Sequence, residues 1–341
     1  MAQCARLRKL QRSDDVRVAF DSRPARQPHG IGRYTRCLLE ALRANPEGEI
    51  AETHRPRRCD VFHAPWLDGA PLRPVAPTVV TLHDLFPLKR RGEFLRAGLR
   101  FKLRYLAVQR ATRVIVPTNA VAAETVEALG IPRERITVIP EAPAPELHHR
   151  PESEVQAVRK RYGLPKEYLL WVGRLTTPDP RKRVAALVRT PRRMPLVLVG
   201  AAGSWARELP DVTLTGALGD DELAAIYSGA HALVFPSEDE GFGLPPVEAL
   251  ACGTPVAACD LPALREVLEG RAILRSVDDL DGLVAAAEAA SRPAPPPPAW
   301  TWDDAAAATW EVYSQAARQA FLARPVRPRR ELSRVGSRRA A

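Results

Sequence analysis

Apolar and polar positions alternate along the chain on two length scales. Val16–Phe20, Asp60–His63, Thr78–Leu82, Val114–Val116 and Arg135–Ile139 are short apolar runs of the kind that form buried parallel strands. Between them lie segments with helical spacing: Cys37–Leu42, Lys89–Arg113 and a stretch ending at Leu129. A second series has strands at Tyr168–Val172, Pro195–Gly200, Val212–Gly216 and Ala232–Phe235. Its helices end near Gly163, begin at Asp220, and cover Val247–Cys252 and Trp300–Phe321. Strand and helix alternating twice over predicts an α/β protein with two doubly wound parallel sheets facing one another across a cleft. The expected units are 14–146, 152–300, a terminal helix over 301–322, and a basic tail over 323–341 that lacks an apolar face and should be disordered. Two stretches break the pattern. Leu42 to Asp60, around NPEGEIAETHRPRR, is polar with no predicted strand. Glu141–Pro151, rich in proline and histidine, reads as a solvated linker.

Composition narrows the class. A chain of 341 residues is long enough for two cores, and 45% hydrophobic content fits an ordinary globular protein. No apolar run approaches the roughly 20 residues that span a bilayer. The start, MAQCARLRKLQRSDD, is basic without an apolar signal core, so the cytoplasm is the expected location. Cys4, Cys37, Cys59, Cys252 and Cys259 are odd in number with no C-x-x-C spacing, which argues for reduced thiols over a disulfide framework or zinc site. His148-His149 has no third ligand at helical spacing, so no metal is expected. A net charge of +10 suits a nucleotide diphosphate, acidic lipid or nucleic acid, and equally a plain bias toward arginine. In Lys89–Arg113, Phe94, Leu95, Leu99, Phe101, Leu103 and Leu106 are interleaved with Arg96, Arg100, Lys102 and Arg104. That composition makes either a membrane-surface helix or a helix packed on one side and solvated on the other.

The densest chemistry lies between His231 and Val256. Ala232–Phe235 ends at Pro236-Ser237. Three carboxylates, Glu238-Asp239-Glu240, follow at the carboxyl end of that strand. Gly241-Phe242-Gly243-Leu244 leads into a helix whose first turn carries Pro245 and Pro246. Strand, glycine loop and helix N-terminus together make an anion-binding corner. Glu240 can face a sugar hydroxyl and Glu248 a ribose. Read singly, Glu248 serves as well to complement the helix dipole, and Glu240 to be solvated. Gly173-Arg174 and Arg181-Lys182-Arg183 put cations on another strand-to-helix loop, suited to a diphosphate or simply exposed to water. His83-Asp84 at the end of Thr78–Leu82 is placed either for a ligand crevice or for capping and packing. Gly30-Ile31-Gly32-Arg33-Tyr34 is a glycine turn into a helix, and alone says little more.

The full string Glu-Gly-Phe-Gly-Leu-Pro-x-x-Glu-Ala, then Gly-Thr-Pro-Val, resembles the E-x7-E signature of the retaining GT-B glycosyltransferases of family 4, which include many bacterial α-mannosyltransferases. The likeness extends over roughly residues 16 to 321. It implies two Rossmann-like domains, with the donor mainly on the second and the terminal helix crossing back to the first. Set beside that likeness, the strandless stretch from Leu42 to Asp60 implies a shortened first unit. It further implies that Glu240 holds the sugar with the Phe242 and Gly243 amides, and that Glu248 holds the ribose. Arg174 and Lys182 would bind the diphosphate, with Arg181 or Arg183 able to stand in for Lys182. Gly30 and Gly32 would approach the donor phosphates or the acceptor, and His83, with Asp84 as a weaker candidate, would meet the donor sugar or the acceptor hydroxyl. The implied partners are a nucleotide-diphosphate sugar, GDP-mannose first and UDP-sugars next, and a glycan or lipid-linked acceptor. An anionic membrane would contact the basic helix. No metal or other cofactor is required, and no nucleic acid is expected, since no recognition motif for one is present. The rival within the same fold is a non-catalytic sugar-nucleotide-binding or scaffold protein with a degenerate first domain.

Overall fold

The computed structural model of the chain describes residues 16–27, 30–85 and 99–322. The expected disordered tail and the first part of the basic segment, Arg96 included, lie outside the described residues. In chain order the elements of the first half are β1 (Val16–Phe20), α1 (Ile31–Ala44), β2 (Gly48–Glu52), β3 (Val61–Ala64), β4 (Thr78–Thr81), α2 (Leu99–Gln109), β5 (Arg113–Val116), α3 (Asn119–Leu129) and β6 (Ile136–Val138). The second half has α4 (Glu152–Tyr162), β7 (Leu169–Val172), α5 (Val184–Arg189), β8 (Leu196–Val199), α6 (Ser204–Arg207), β9 (Val212–Gly216), α7 (Asp220–Gly229) and β10 (Ala232–Phe235). It continues with α8 (Leu244–Ala251), β11 (Val256–Cys259), α9 (Pro262–Leu268), β12 (Ile273–Arg275), α10 (Leu280–Glu288) and α11 (Trp302–Leu322).

The strands form two six-stranded sheets, ordered β2-β1-β3-β4-β5-β6 and β12-β11-β10-β7-β8-β9. Every strand pairing is parallel. Central strands such as β3, β4, β7, β8 and β10 are buried along their whole length, which is why β7, β8 and β10 read as continuous apolar runs. Strand order reverses direction between β1 and β3 in the first sheet and between β7 and β10 in the second. Those are the positions where parallel sheets open a ligand crevice.

Three expectations need correction. The polar stretch after Leu42 does contain a strand, β2, paired in register with β1 from Val16–Gly48 to Phe20–Glu52. It is an edge strand with only partial burial, held by main-chain bonds rather than by apolar side chains. What is missing there is a helix: Thr53–Asp60 joins β2 directly to β3. Val256–Cys259 and Ile273–Arg275, assigned no strand from the pattern, extend the second sheet as β11 and β12. The linker is not solvated either. Ala142, Ala144 and Leu147 are core residues, and Glu141 is 4% exposed.

The terminal helix α11 packs on α1, β1, β3 and β4. Its Trp310 and Tyr313 are fully buried, each stabilising the contact by roughly 1.5–3 kcal/mol of apolar burial. Gly48 of β2 fits beneath Trp310, where an added Cβ would lie 3.0 Å from the indole ring.

Candidate active site between the two sheets

The second sheet's crevice is built from the ends of β7 and β10. After β10 the chain passes Pro236 and the fully buried Ser237, and the Glu238 amide then donates to the Arg181 carbonyl at 2.9 Å. That bond ties the acidic loop to the basic one. Gly243 takes a left-handed conformation, φ 89°, as the residue before α8. The helix begins at Leu244, so Glu248 lies in its second turn, farther from the amide dipole than the sequence implied. Phe242 and Leu244 are buried, Phe242 against Trp300 with ring centroids 5.9 Å apart.

Glu240 and Lys182 meet as an ion pair, and the Lys182 ammonium lies 5.4 Å from the centre of the Phe235 ring. Lys182 sits at the end of a short turn, Pro180–Lys182, begun by Asp179, whose carboxylate accepts from the Arg181 amide. Its neighbours point elsewhere. Arg181 grips Asp179 with both arms of its fork, Nε to Oδ1 at 3.0 Å and Nη2 to Oδ2 at 2.8 Å. It also approaches Asp84 of the first sheet at 3.6 Å. Burial pulls the Arg181 pKa down, but Asp179 and Asp84 outweigh it and the net shift is upward. Arg183 donates to the Val277 carbonyl. Lys182 is therefore the cation of this loop that reaches Glu240. Arg174 is exposed on the loop after β7, with no ion pair among the described residues.

Glu248 is 2% exposed. One carboxylate oxygen is paired with Nη1 of Arg33, and the other accepts from the Tyr227 hydroxyl at 3.0 Å. Arg33, 3% exposed, also pairs through Nη2 with Asp220 at the start of α7. Burial lowers the Arg33 pKa, but the charges of Glu248 and Asp220 reverse the shift, and the net direction is upward. Burial together with the Glu248 charge holds the Tyr227 hydroxyl well above its ordinary pKa, so it stays a donor. Arg33 belongs to the Gly30–Tyr34 string, where no role could be read for it from sequence alone. Its one signal was position, in the first turn of a helix that starts at a glycine loop.

Gly30 precedes α1 with φ 58° and open space around it. Gly32 has a local cause: a Cβ there would lie 2.1 Å from the Gln27 carbonyl oxygen.

His83 is 15% exposed in its side chain, and both its nitrogens are engaged. Nδ1 lies 3.0 Å from Glu141 Oε1 and Nε2 lies 3.0 Å from the Pro65 carbonyl oxygen. Two acceptors fit an imidazolium that donates from both sides. Burial lowers its pKa, but the hydrogen bond and charge of Glu141 outweigh that and move it above the ordinary value. Tyr34 stands edge-on to the ring, with centroids 4.6 Å apart. The imidazole is thus held by the first sheet. It is the His83 backbone that meets the second sheet, because a Cβ on Gly241 would fall 1.7 Å from its carbonyl oxygen. Beside this point Thr118 Oγ1 donates to the Gly241 carbonyl at 2.9 Å. Glu266 of α9 accepts from the Asn119 and Ala120 amides at the start of α3, at 2.8 and 3.2 Å. Among the described residues no cluster of His, Cys, Asp or Glu has the geometry of a metal site.

Two family models match the chain. Glycosyltransferase Family 4 matches residues 7–142, and Glycosyl transferases group 1 matches residues 166–292. The chain is 30% identical over 217 residues to the serotype-specific mannosyltransferase WbdA of Escherichia coli, across 56% of this chain and 26% of WbdA. It therefore spans only about a quarter of that relative. It is 32% identical over 275 residues to a D-inositol 3-phosphate glycosyltransferase of Frankia alni, across 68% of this chain and 67% of the relative. In structure it resembles Anabaena HepE, solved in complex with UDP-glucose, with a TM-score of 0.61, 16% identity, and coverage of 90% of this chain and 98% of HepE. With one family model on each sheet and this two-sheet architecture, the chain belongs to glycosyltransferase family 4 and has the GT-B fold.

Proposed function

We propose that this chain is a retaining glycosyltransferase that moves a sugar from a nucleotide-diphosphate sugar to a glycan or lipid-linked acceptor. The observation that carries the reading is the Glu240–Lys182 pair at the carboxyl end of β10, in the crevice that faces the first sheet. A diphosphate there draws Lys182 onto its own oxygens and leaves Glu240 to accept hydrogen bonds from the sugar hydroxyls. Arg174, exposed and with no ion pair among the described residues, supplies the second positive charge. Together the two cations stabilise charge building on the leaving diphosphate, usually the largest catalytic contribution in such sites. Glu248 takes the ribose. The incoming hydroxyl attacks from the side of the departing phosphate, which accepts its proton. That route needs positioning and charge stabilisation but no covalent enzyme intermediate and no metal.

Mannose from GDP-mannose is the first assignment, supported by the likeness to WbdA, and a UDP-sugar is the second, supported by HepE. We also assign the α2 face to anionic lipid on the cytoplasmic side. Leu106 is exposed there, and Arg110 donates to the carbonyl of Leu72, which is also exposed. The second reading is a sugar-nucleotide-binding protein without turnover, favoured by the missing helix between β2 and β3. It predicts donor binding with neither hydrolysis nor transfer.

Variants of the two acids that keep the side chain's shape and remove its charge test the assignment. Glu240→Gln should lower turnover on the order of 100-fold, the scale of losing one preorganised group, while GDP or UDP binding stays nearly intact. Glu248→Gln should weaken nucleotide binding itself. Normal transfer by both variants would refute the site.

A further inference from the structure

Arg33 lies on the first sheet's α1, and among the described residues it is the one group from that sheet bonded to Glu248. The acid's other partner, Tyr227, and the arginine's other partner, Asp220, both belong to α7 of the second sheet. At 2% exposure Glu248 cannot receive a ribose while Arg33 covers it. We propose that Arg33 is a latch on the ribose acid: nucleotide displaces it from Glu248, and it then rests on Asp220 alone. The inference builds on the assignment of Glu248 to the ribose.

The pair of acids explains how the exchange proceeds without stranding a charge. A guanidinium cut off from every carboxylate in so buried a place would be strongly disfavoured. Asp220 prevents that, because its side chain is 30% exposed and does not have to be surrendered to ligand. Among the described residues Arg33 Nε has no hydrogen-bond partner. Once Nη1 leaves Glu248, Nε and Nη2 can grip Asp220 side-on as a fork, the strongest arrangement available to an arginine and one carboxylate. The ribose hydroxyls then donate to the Glu248 oxygen that Arg33 has left, while Tyr227 keeps the other. Each carboxylate and the guanidinium end with a partner. The latch also couples the sheets, since the contact that covers the ribose acid is itself a contact between α1 and α8. A nucleotide must open it to enter, and closure on a bound nucleotide re-forms only the Arg33–Asp220 half.

Arg33 is thus a positioning residue, and its removal should tighten nucleotide binding. The test is calorimetric titration of the full chain with GDP and with UDP, following whichever binds. Arg33→Gln should lower Kd about tenfold, because the ribose no longer competes for Glu248. Asp220→Asn should do the opposite and raise Kd about tenfold, because displaced Arg33 then has no carboxylate. A merely structural role for this cluster would weaken binding in both variants. Weaker or unchanged binding in Arg33→Gln overturns the latch, as does unchanged binding in Asp220→Asn, a variant at a partly exposed position that tests the idea even if Arg33→Gln fails to fold. Glu248→Gln separates the two levels. If it weakens binding while Arg33→Gln does so too, the ribose acid stands and the latch falls. If it leaves Kd unchanged, the ribose assignment falls and takes the latch with it.

Discussion

Gly241→Ala is the smallest change that should separate chemistry from nucleotide binding. Gly241 is not in a left-handed conformation, so alanine meets no backbone penalty at this position. The obstacle is the other sheet: the new Cβ would lie 1.7 Å from the His83 carbonyl oxygen, whereas contacts under 3.0 Å are essentially never made by real Cβ atoms. Restoring a 3.0 Å contact parts the two backbones by roughly 1.3 Å, because packed interiors offer little slack to absorb it. The same displacement pulls on the 2.9 Å bond from Thr118 to the Gly241 carbonyl. Both contacts join the loop carrying Glu240 to the sheet carrying His83, so the loss falls on the alignment of donor with acceptor. A misplacement of about 1 Å costs on the order of 100-fold in rate, or about 2.7 kcal/mol in the barrier. Arg174, Lys182 and Glu248, the groups proposed above to hold the nucleotide, lie on the second sheet away from this contact. Release of nucleoside diphosphate from the nucleotide sugar measures turnover, and calorimetry with GDP or UDP measures binding. Turnover should fall about 100-fold, with nucleotide binding held or tightened. Turnover within threefold of the unaltered protein would mean that the approach of Gly241 to His83 is absent from the reacting arrangement.

Two further outcomes follow from other parts of the molecule. His63 is fully buried between the Tyr313 hydroxyl at 2.6 Å and Thr81 Oγ1 at 2.9 Å, and burial with the charge of His83 pushes its pKa down to about 3. Its unfolded value near 6.5 is higher, so the stability it contributes is present above pH 6.5 and is lost as pH falls toward 3. Between pH 7 and pH 5 the unaltered protein should lose about 2 kcal/mol more than His63→Gln in urea unfolding; equal losses would refute the neutral buried ring. Around α2, each cation near an anionic surface adds about 1 kcal/mol, so the chain should co-sediment with anionic vesicles at low salt and be released at high salt. Changing Arg96, Arg100 and Arg104 to Glu should abolish that binding, and no sedimentation at low salt would remove the lipid assignment.

The two-sheet architecture was legible because parallel strands buried on both faces are mostly apolar: β7, β8 and β10 are so throughout, and β3 and β4 depart from it only at His63, Thr78 and Thr81. The acid pair and the Lys182 loop were legible for a related reason: each is a local string whose glycines, prolines and charges have to follow one another along the chain. An edge strand such as β2 escapes that logic, since its order comes from main-chain bonds to β1, which any side chains permit. Partners far apart along the chain escape it as well. Glu248 finds Arg33 across 215 positions, His83 finds Glu141 across 58, and the α3 amides find Glu266 across 147. Nothing local marks Glu248 as buried or His83 as held on both nitrogens. A charged group's burial and protonation depend on which surface closes over it, and only the packing of one sheet against the other decides that.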